Sequence, residues 1–242
     1  YCAREPVAPG LPTPDTLFHD FKIRRIESGF GLYGVAGEPI GHSKSPAIHN
    51  AGLARDRIDA VYLRFRVRDL AEFWPVFLAH GGRGLSVTAP LKVQAAKMAT
   101  SPDADVVESG AANTLLSDGR GFNTDVSAFL ELLPPSGGEA LVLGAGGAAR
   151  AAVCALKRLG YDVAVWARQP ERAAALGQRV AAAPYAAPVL VNTTPIDPPS
   201  APFLIDVRYG PGIGILEGGV GGEAFLLAQA RHQYKIFHGR EL

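Results

Sequence analysis

Apolar and polar positions along this chain alternate in two distinct rhythms. Residues 32–36, 60–65 and 85–88 are short apolar runs of strand length. Between them, the stretch that begins near Pro46 and residues 71–79, with Phe73, Val76 and Phe77 apolar, have helical spacing. Further along, residues 140–143 form another apolar run. It turns through Gly144, Gly146 and Gly147 into a stretch whose Val153, Leu156 and Leu159 recur on one helix face, and Gly160 then ends that helix as a left-handed cap. Residues 161–166 read as a further strand. A helix at 124–133 is predicted with Thr124 or Asp125 as its N-cap, ended by Pro134 and Pro135, and the stretch through Gly138 reads as a hinge. Ahead of all this, prolines at positions 6, 9, 12 and 14 mark a linker, and Asp15 caps a short predicted helix to about residue 23 with Leu17, Phe18 and Phe21 apolar. Strands alternating with helices in this way predict an α/β fold.

The turn after residue 143 carries chemistry. Glycines there let a ligand approach the backbone, and the free N–H groups of the first helical turn favour a pyrophosphate. Gly144, Ala145, Gly146, Gly147 and Ala148 are therefore candidate cofactor residues. The spelling is GxGG rather than the full GxGxxG, with Arg150 where a small residue is expected, so the motif alone is weak. At the end of the next strand an NAD site would place a carboxylate for the ribose hydroxyls. The chain instead reads Ala167, Arg168, Gln169, with Arg172 shortly after. Two guanidiniums suit a 2′-phosphate, which points to NADP.

Composition narrows the classes without selecting one. Among 242 residues, 48% are hydrophobic and 19% charged, as in a soluble globular protein, and the net charge of +1 offers no footprint for nucleic acid or an acidic membrane. Apolar runs are too short for a membrane span. Cys2 and Cys154 form no disulfide framework, so a reducing compartment is the expectation, and the scattered histidines have no metal-ligand spacing.

Two loops are too polar to be simple turns. Ser43, Lys44 and Ser45 precede a helix start, where hydroxyls and free N–H groups together can hold a carboxylate or phosphate. SVTAPLK, residues 86–92, ends a strand at Thr88, and Pro90 opens a helix with Lys92 in its first turn, where the helix dipole disfavours a cation. Asn113, Asn123 and Asp125 follow, able to bond several hydroxyls. Each also has a plain structural reading: an exposed lysine, a helix cap, solvated arginines.

GHSKSPAIHN, SVTAPLK, GAANT, FNTD, GAGGAAR and the late AQA at residues 228–230 occur in the order seen in shikimate dehydrogenases, which reduce 3-dehydroshikimate with NADPH, and the chain resembles that family over roughly residues 31–242. The resemblance implies a substrate-binding α/β domain at 31–130, joined by about 222–242, and a Rossmann-like NADP-binding domain at 131–221, with the last helix returning to the first domain. It implies Lys92 and Asp125 as the catalytic pair. It also implies Ser43 and Ser45 on the substrate carboxylate with Tyr209 nearby, and Thr88, Asn113, Asp125 and Gln229 on the ring substituents. Thr193 joins the cofactor residues in the same way. Residues 1–30 read as an N-terminal extension or linker, within which residues 7–26 resemble the tail of a type I dehydroquinate dehydratase and the joint that follows it in fused dehydratase and dehydrogenase proteins, and Ser86, where many free-standing enzymes have Asn, resembles the fused kind. Such a fusion upstream, and a cytoplasmic location or a plastid one if plant-like, are the corresponding expectations.

Departures from the family pattern cluster in the second half. The glycine-rich segment between Tyr209 and Gln229 is short, Phe225 stands where Met is common, Ala128 replaces a usual glycine, residues 192–197 lack a usual glycine, and Ala167 and Gln169 flank Arg168 where Asn and Thr are usual. A quinate or relaxed-specificity dehydrogenase, or a non-catalytic relative that binds a shikimate-like ligand or nucleotide, are the alternatives this leaves.

Overall fold

The structure, a computed structural model, describes residues 30–210, 213 and 218–242. The expected linker and the short helix at 15–23 lie outside the described residues, as do residues 211, 212 and 214–217 of the glycine-rich segment.

The first half builds β1 (Gly31–Gly37), α1 (Ser45–Arg55), β2 (Ala60–Arg66), α2 (Leu70–Ala79), β3 (Gly82–Val87), α3 (Lys92–Met98), β4 (Ser101–Pro102), α4 (Ala104–Ser109), β5 (Thr114–Leu116), β6 (Arg120–Phe122) and α5 (Thr124–Leu132). Its six strands form one mixed sheet in the order β2-β1-β3-β5-β6-β4. β1 runs parallel to both neighbours, and β5 is antiparallel to β3 and β6. The second half builds β7 (Gly138–Leu143), α6 (Gly147–Arg158), β8 (Tyr161–Trp166), α7 (Pro170–Ala174), β9 (Arg179–Val180), β10 (Val189–Asn192) and β11 (Phe203–Asp206), before the closing helix α8 (Gly222–His238). Its sheet, β11-β10-β7-β8-β9, is parallel throughout. The fold is α/β.

The reason for the second sheet is in β7. Ala140, Leu141, Val142 and Leu143 are all fully buried, so the strand is covered on both faces, the condition under which a parallel strand reads as a continuous apolar run. Ala140 and Val142 pack with the α6 residues Ala149, Ala152 and Leu156, while Leu141 and Leu143 pack with Ala164 and Leu190 on the opposite face. Gly160, at φ +81, takes the left-handed turn that reverses the chain into β8.

Some local expectations change. Val76 is 55% exposed; α2 turns Leu70 and Phe77 inward instead, and Asp69 caps its start, its side chain accepting from Ala71 N. Neither Thr124 nor Asp125 caps α5: Asn123 holds that position without a side-chain cap bond, which leaves the Asp125 carboxylate for other partners. Pro90 precedes α3, which starts at Lys92 itself.

Helix α8 ties the halves together. It packs on both α5 and α1, and Tyr234 Oη donates to Asp56 Oδ2 at 2.8 Å, across 178 residues of chain. Among the described residues, no helix is long and apolar enough to cross a membrane.

Candidate functional site

The C-terminal ends of β1, β3 and β7 open toward a common cleft, where loops leave the parallel strands, the usual place for ligands in open α/β sheets. A cavity of about 780 Å³ lies there, bounded by residues of both sheets and by α8. Ser43, Ser45, Thr88, Lys92, Asn113, Asp125, Tyr209 and Gln229 line it, as do Ala145, Gly146, Gly147, Ala148, Arg168, Arg172 and Thr193. Of the candidate residues only Gly144 is absent from the wall. At φ +117 it turns the chain out of β7, and a side chain there would run into Thr193 Oγ1.

Lys92 Nζ donates to Asp125 Oδ2, and the pair is largely withdrawn from water: the lysine side chain is 13% exposed and the aspartate 2%. A buried charge requires such a partner, because desolvation alone is costly. Asp125 Oδ1 in turn accepts from Asn113 Nδ2 at 2.9 Å. The Asn113 amide also donates to Thr124 Oγ1 at 2.8 Å, while its Oδ1 accepts from Thr124 N at 2.9 Å. The lysine starts α3, the aspartate lies in the first turn of α5, and the asparagine precedes β5, so three separate elements assemble the cluster.

The serine loop forms the opposite end. Ser43 and Ser45 are both buried, and Ser45 N donates to Ser43 Oγ at 3.3 Å. Arg64, on β2, holds the loop by donating from Nε and Nη2 to Ser43 O at 2.9 and 2.6 Å. Tyr209 faces this loop; burial raises its phenol above the usual range, offset in part by a hydrogen bond with Ser43. These hydroxyls, with the charges of Lys44 and Arg64 close to the loop, suit an anionic group.

Across the cleft, the glycine turn leads into α6 with Gly146 at the N-cap and no side chain capping the first turn. A Cβ on Gly146 would meet nothing within 4 Å, whereas one on Gly147 would lie 2.5 Å from Lys92 Cβ. The third glycine therefore faces the stem of the lysine. Arg168 and Arg172 are exposed at the rim, and neither makes a side-chain ion pair among the described residues. The hydroxyl of Thr193 is already used, donating to Leu143 O at 2.8 Å.

Sequence reasoning missed several wall residues. Gln233 lies one helical turn beyond Gln229 on α8, and Ser86 reaches it, Oγ donating to Oε1 at 2.9 Å. The four-residue spacing of the two glutamines was the available signal, since such positions share a helix face. Arg150 also lines the cavity, and nothing in its local sequence marks that. No group of acidic, histidine or cysteine side chains suited to a metal is present among the described residues.

Comparison with known proteins identifies the family. Residues 35–115 match the family model described as the shikimate dehydrogenase substrate binding domain. The chain is 46% identical over 161 residues to the shikimate dehydrogenase (NADP(+)) of Anaeromyxobacter dehalogenans, covering 63% of this chain and 58% of that protein. It is 39% identical over 213 residues to the same enzyme of Thermus thermophilus, covering 74% and 78%. It is 30% identical over 288 aligned positions to the chloroplastic bifunctional 3-dehydroquinate dehydratase/shikimate dehydrogenase of Arabidopsis thaliana, covering 96% of this chain and 48% of that one. The chain thus spans well under two thirds of the first and last of these relatives. Among solved structures, the Thermus thermophilus shikimate 5-dehydrogenase in complex with NADP(H) and shikimate superposes with a TM-score of 0.74 at 30% identity, covering 87% of this chain and 94% of that one. With the ordered motifs, the paired sheets and a relative matched over most of its length all in agreement, this chain belongs to the shikimate dehydrogenase family.

Proposed function

We propose that the chain catalyses the reversible, NADPH-dependent reduction of 3-dehydroshikimate to shikimate. The observation that carries this reading is the buried Lys92–Asp125 pair, held by Asn113 in a cavity that the serine loop and the glycine turn of α6 also line. A module that only binds has no need of a desolvated ion pair facing an open cleft.

NADPH, when bound, supplies the hydride. The residues present fit it: Ala145, Gly146 and Ala148 with the uncapped first turn of α6 suit the pyrophosphate, and Arg168 and Arg172 suit the 2′-phosphate. The absence of a carboxylate at the end of β8 favours NADP over NAD. Gly144 shapes the turn, and Thr193 braces it through Leu143. Ser43 and Ser45, with Tyr209, receive the substrate carboxylate. Thr88, Asn113, Asp125 and Gln229 bond the ring hydroxyls and fix which carbon faces the cofactor. At that carbon the ketone oxygen gains negative charge as it is reduced. Lys92 delivers a proton and compensating charge to this oxygen, and Asp125 keeps the ammonium aimed at it.

The domain division fits the same reading, with residues 31–130 and about 222–242 forming the substrate domain and 131–221 the cofactor domain. We further infer a dehydroquinate dehydratase preceding this chain. The plant bifunctional relative, alignable over 96% of the chain, supports this, and a transcript or genomic sequence lacking any such upstream relic would overturn it. A reducing compartment, cytoplasm or plastid, is consistent with the free, buried Cys154.

The test is the initial rate of absorbance change at the NADPH band with shikimate or quinate, each with NADP and with NAD. Turnover of shikimate with NADP and little with the other three pairs is expected. Quinate turnover at equal efficiency would replace the substrate assignment. Ligand-induced thermal shifts without turnover in any pair would establish a non-catalytic binder instead.

A further inference from the structure

Along the cavity wall and behind it runs a continuous line of buried hydrogen bonds that ends on the catalytic pair. Tyr62 Oη donates to Ser86 Oγ at 2.6 Å, and Ser86 Oγ donates to Gln233 Oε1 at 2.9 Å. Gln233 Nε2 donates to Thr114 Oγ1 at 3.0 Å and to Asn113 O at 3.1 Å. Thr114 Oγ1 donates to Asn113 Oδ1 at 2.9 Å, and Asn113 Nδ2 donates to Asp125 Oδ1. Every one of these side chains is buried.

The direction of the line is forced. A backbone carbonyl can only accept, so the Gln233 amide must present its NH₂ to Asn113 O and its oxygen to Ser86. Ser86 must then donate to Gln233, and so receives from Tyr62. Thr114, receiving from Gln233, has its proton left for Asn113 Oδ1. Together with Thr124 N, which also donates to Asn113 Oδ1, this commits the Asn113 oxygen inward and leaves its NH₂ for Asp125. Ser86 and Gln233 form part of the cavity lining, whereas Tyr62 and Thr114 lie outside it, so Thr114 acts on the site only through its neighbours.

We propose that Thr114, tied to the last helix by Gln233, is a positioning residue for the reaction. Through the Asn113 amide, which Thr124 also holds, it helps keep the Asp125 carboxylate in the orientation that aims Lys92, so that the last helix contributes to the geometry of a catalytic pair built by the first half of the chain. This rests on the proposed dehydrogenase activity. It explains why a glutamine is buried at this point of α8, where an apolar residue would pack at less desolvation cost.

The test uses the whole chain carrying Thr114→Val, Thr114→Ser, Gln233→Leu, and Thr114→Val with Gln233→Leu. Thr114→Val keeps the shape and removes the hydroxyl. A fall in kcat of about tenfold is expected, with the shikimate KM changed less than about twofold. Thr114→Ser restores most of the rate. The double variant falls no further than the worse single one, because both break the same line. Independently of turnover, the side-chain NH₂ protons of Asn113, followed by NMR, exchange with solvent faster in Thr114→Val and Gln233→Leu than in the parent. A melting temperature that drops while kcat and Asn113 exchange stay unchanged would reduce Thr114 to a packing residue and overturn the proposal. So would rate losses that multiply in the double variant. If the parent turns over no substrate, the dehydrogenase reading fails by itself, and the Asn113 exchange alone decides whether the line positions that amide.

Discussion

Gly147→Ala isolates what the third glycine of the turn is for. The added Cβ would stand 2.5 Å from Lys92 Cβ, 2.8 Å from Cδ and 3.1 Å from Cγ, closer than carbon atoms can sit. Lys92 has little room to retreat: its carbonyl accepts from Ala112 N at 2.9 Å and its ammonium is held by Asp125. The backbone raises no objection, because Gly147 is not in the left-handed region and opens α6, where alanine is favoured. The whole penalty therefore falls on the contact between the α6 start and the lysine stem. Overpacking of this kind costs about 1–3 kcal/mol. If that is relieved by displacing Lys92, kcat falls by about 5- to 150-fold. The assay pairs steady-state kcat at saturating shikimate and NADP with NADPH affinity from nucleotide fluorescence. The expected result is a large fall in kcat with the NADPH Kd within about threefold of the parent. The reasoning is refuted if kcat at saturation is preserved while NADPH affinity collapses, since the glycine would then serve only the approach of the pyrophosphate.

Lys92→Ala should lower kcat by about 10²- to 10⁴-fold while NADPH still binds, and equal loss of both would contradict the assignment of Lys92 to the chemical step. Arg168→Ala and Arg172→Ala should raise the KM for NADP about tenfold or more and leave that for NAD nearly unchanged; parallel losses with both nucleotides would remove the 2′-phosphate reading. His49, fully buried against Tyr62 with ring centroids 4.2 Å apart, is pushed down to about 3 by burial and by nearby His238. The folded state thus refuses a proton that the unfolded chain accepts below its ordinary value of about 6.5. Stability is complete above that pH and is lost as pH falls from there toward 3, by at most about 1.4 kcal/mol per pH unit for this group. Urea melts between pH 7 and 5 should show His49→Phe with a shallower loss than the parent, and identical slopes would exclude His49 as the source.

Much of the layout was legible because it depends on short-range rules. Apolar runs of strand length marked β1, β2, β7 and β8, and Gly160 marked the end of α6 through the conformation only glycine adopts cheaply. β10 and β11 were not anticipated: each is four residues long, and without an amphipathic helix between them no change of period announces them. Which of the apolar residues of α2 face inward was not legible, and Val76 is exposed, because hydrophobicity alone does not set a helix's rotation when several apolar residues surround it. The Asp125 cap reading failed for a different reason. A carboxylate in a first helical turn satisfies the cap pattern locally, and only the arrival of Lys92 and Asn113 shows what it bonds.

By itself the sequence determined the α/β class, the glycine turn into α6, the arginines after β8 and the polar loops that carry the family likeness. Each is written in residues a few positions apart, where backbone preference and side-chain period act. The tertiary structure decided what those pieces do to one another. Lys92 and Asp125 are 33 residues apart and Gln233 and Thr114 are 119 apart, and they meet only because the sheet order and the return of α8 bring them to one cleft. Gly147 carries the same lesson at one atom: the turn motif explains a glycine there, but the stem of Lys92 packed against it is a long-range contact, which no local pattern encodes.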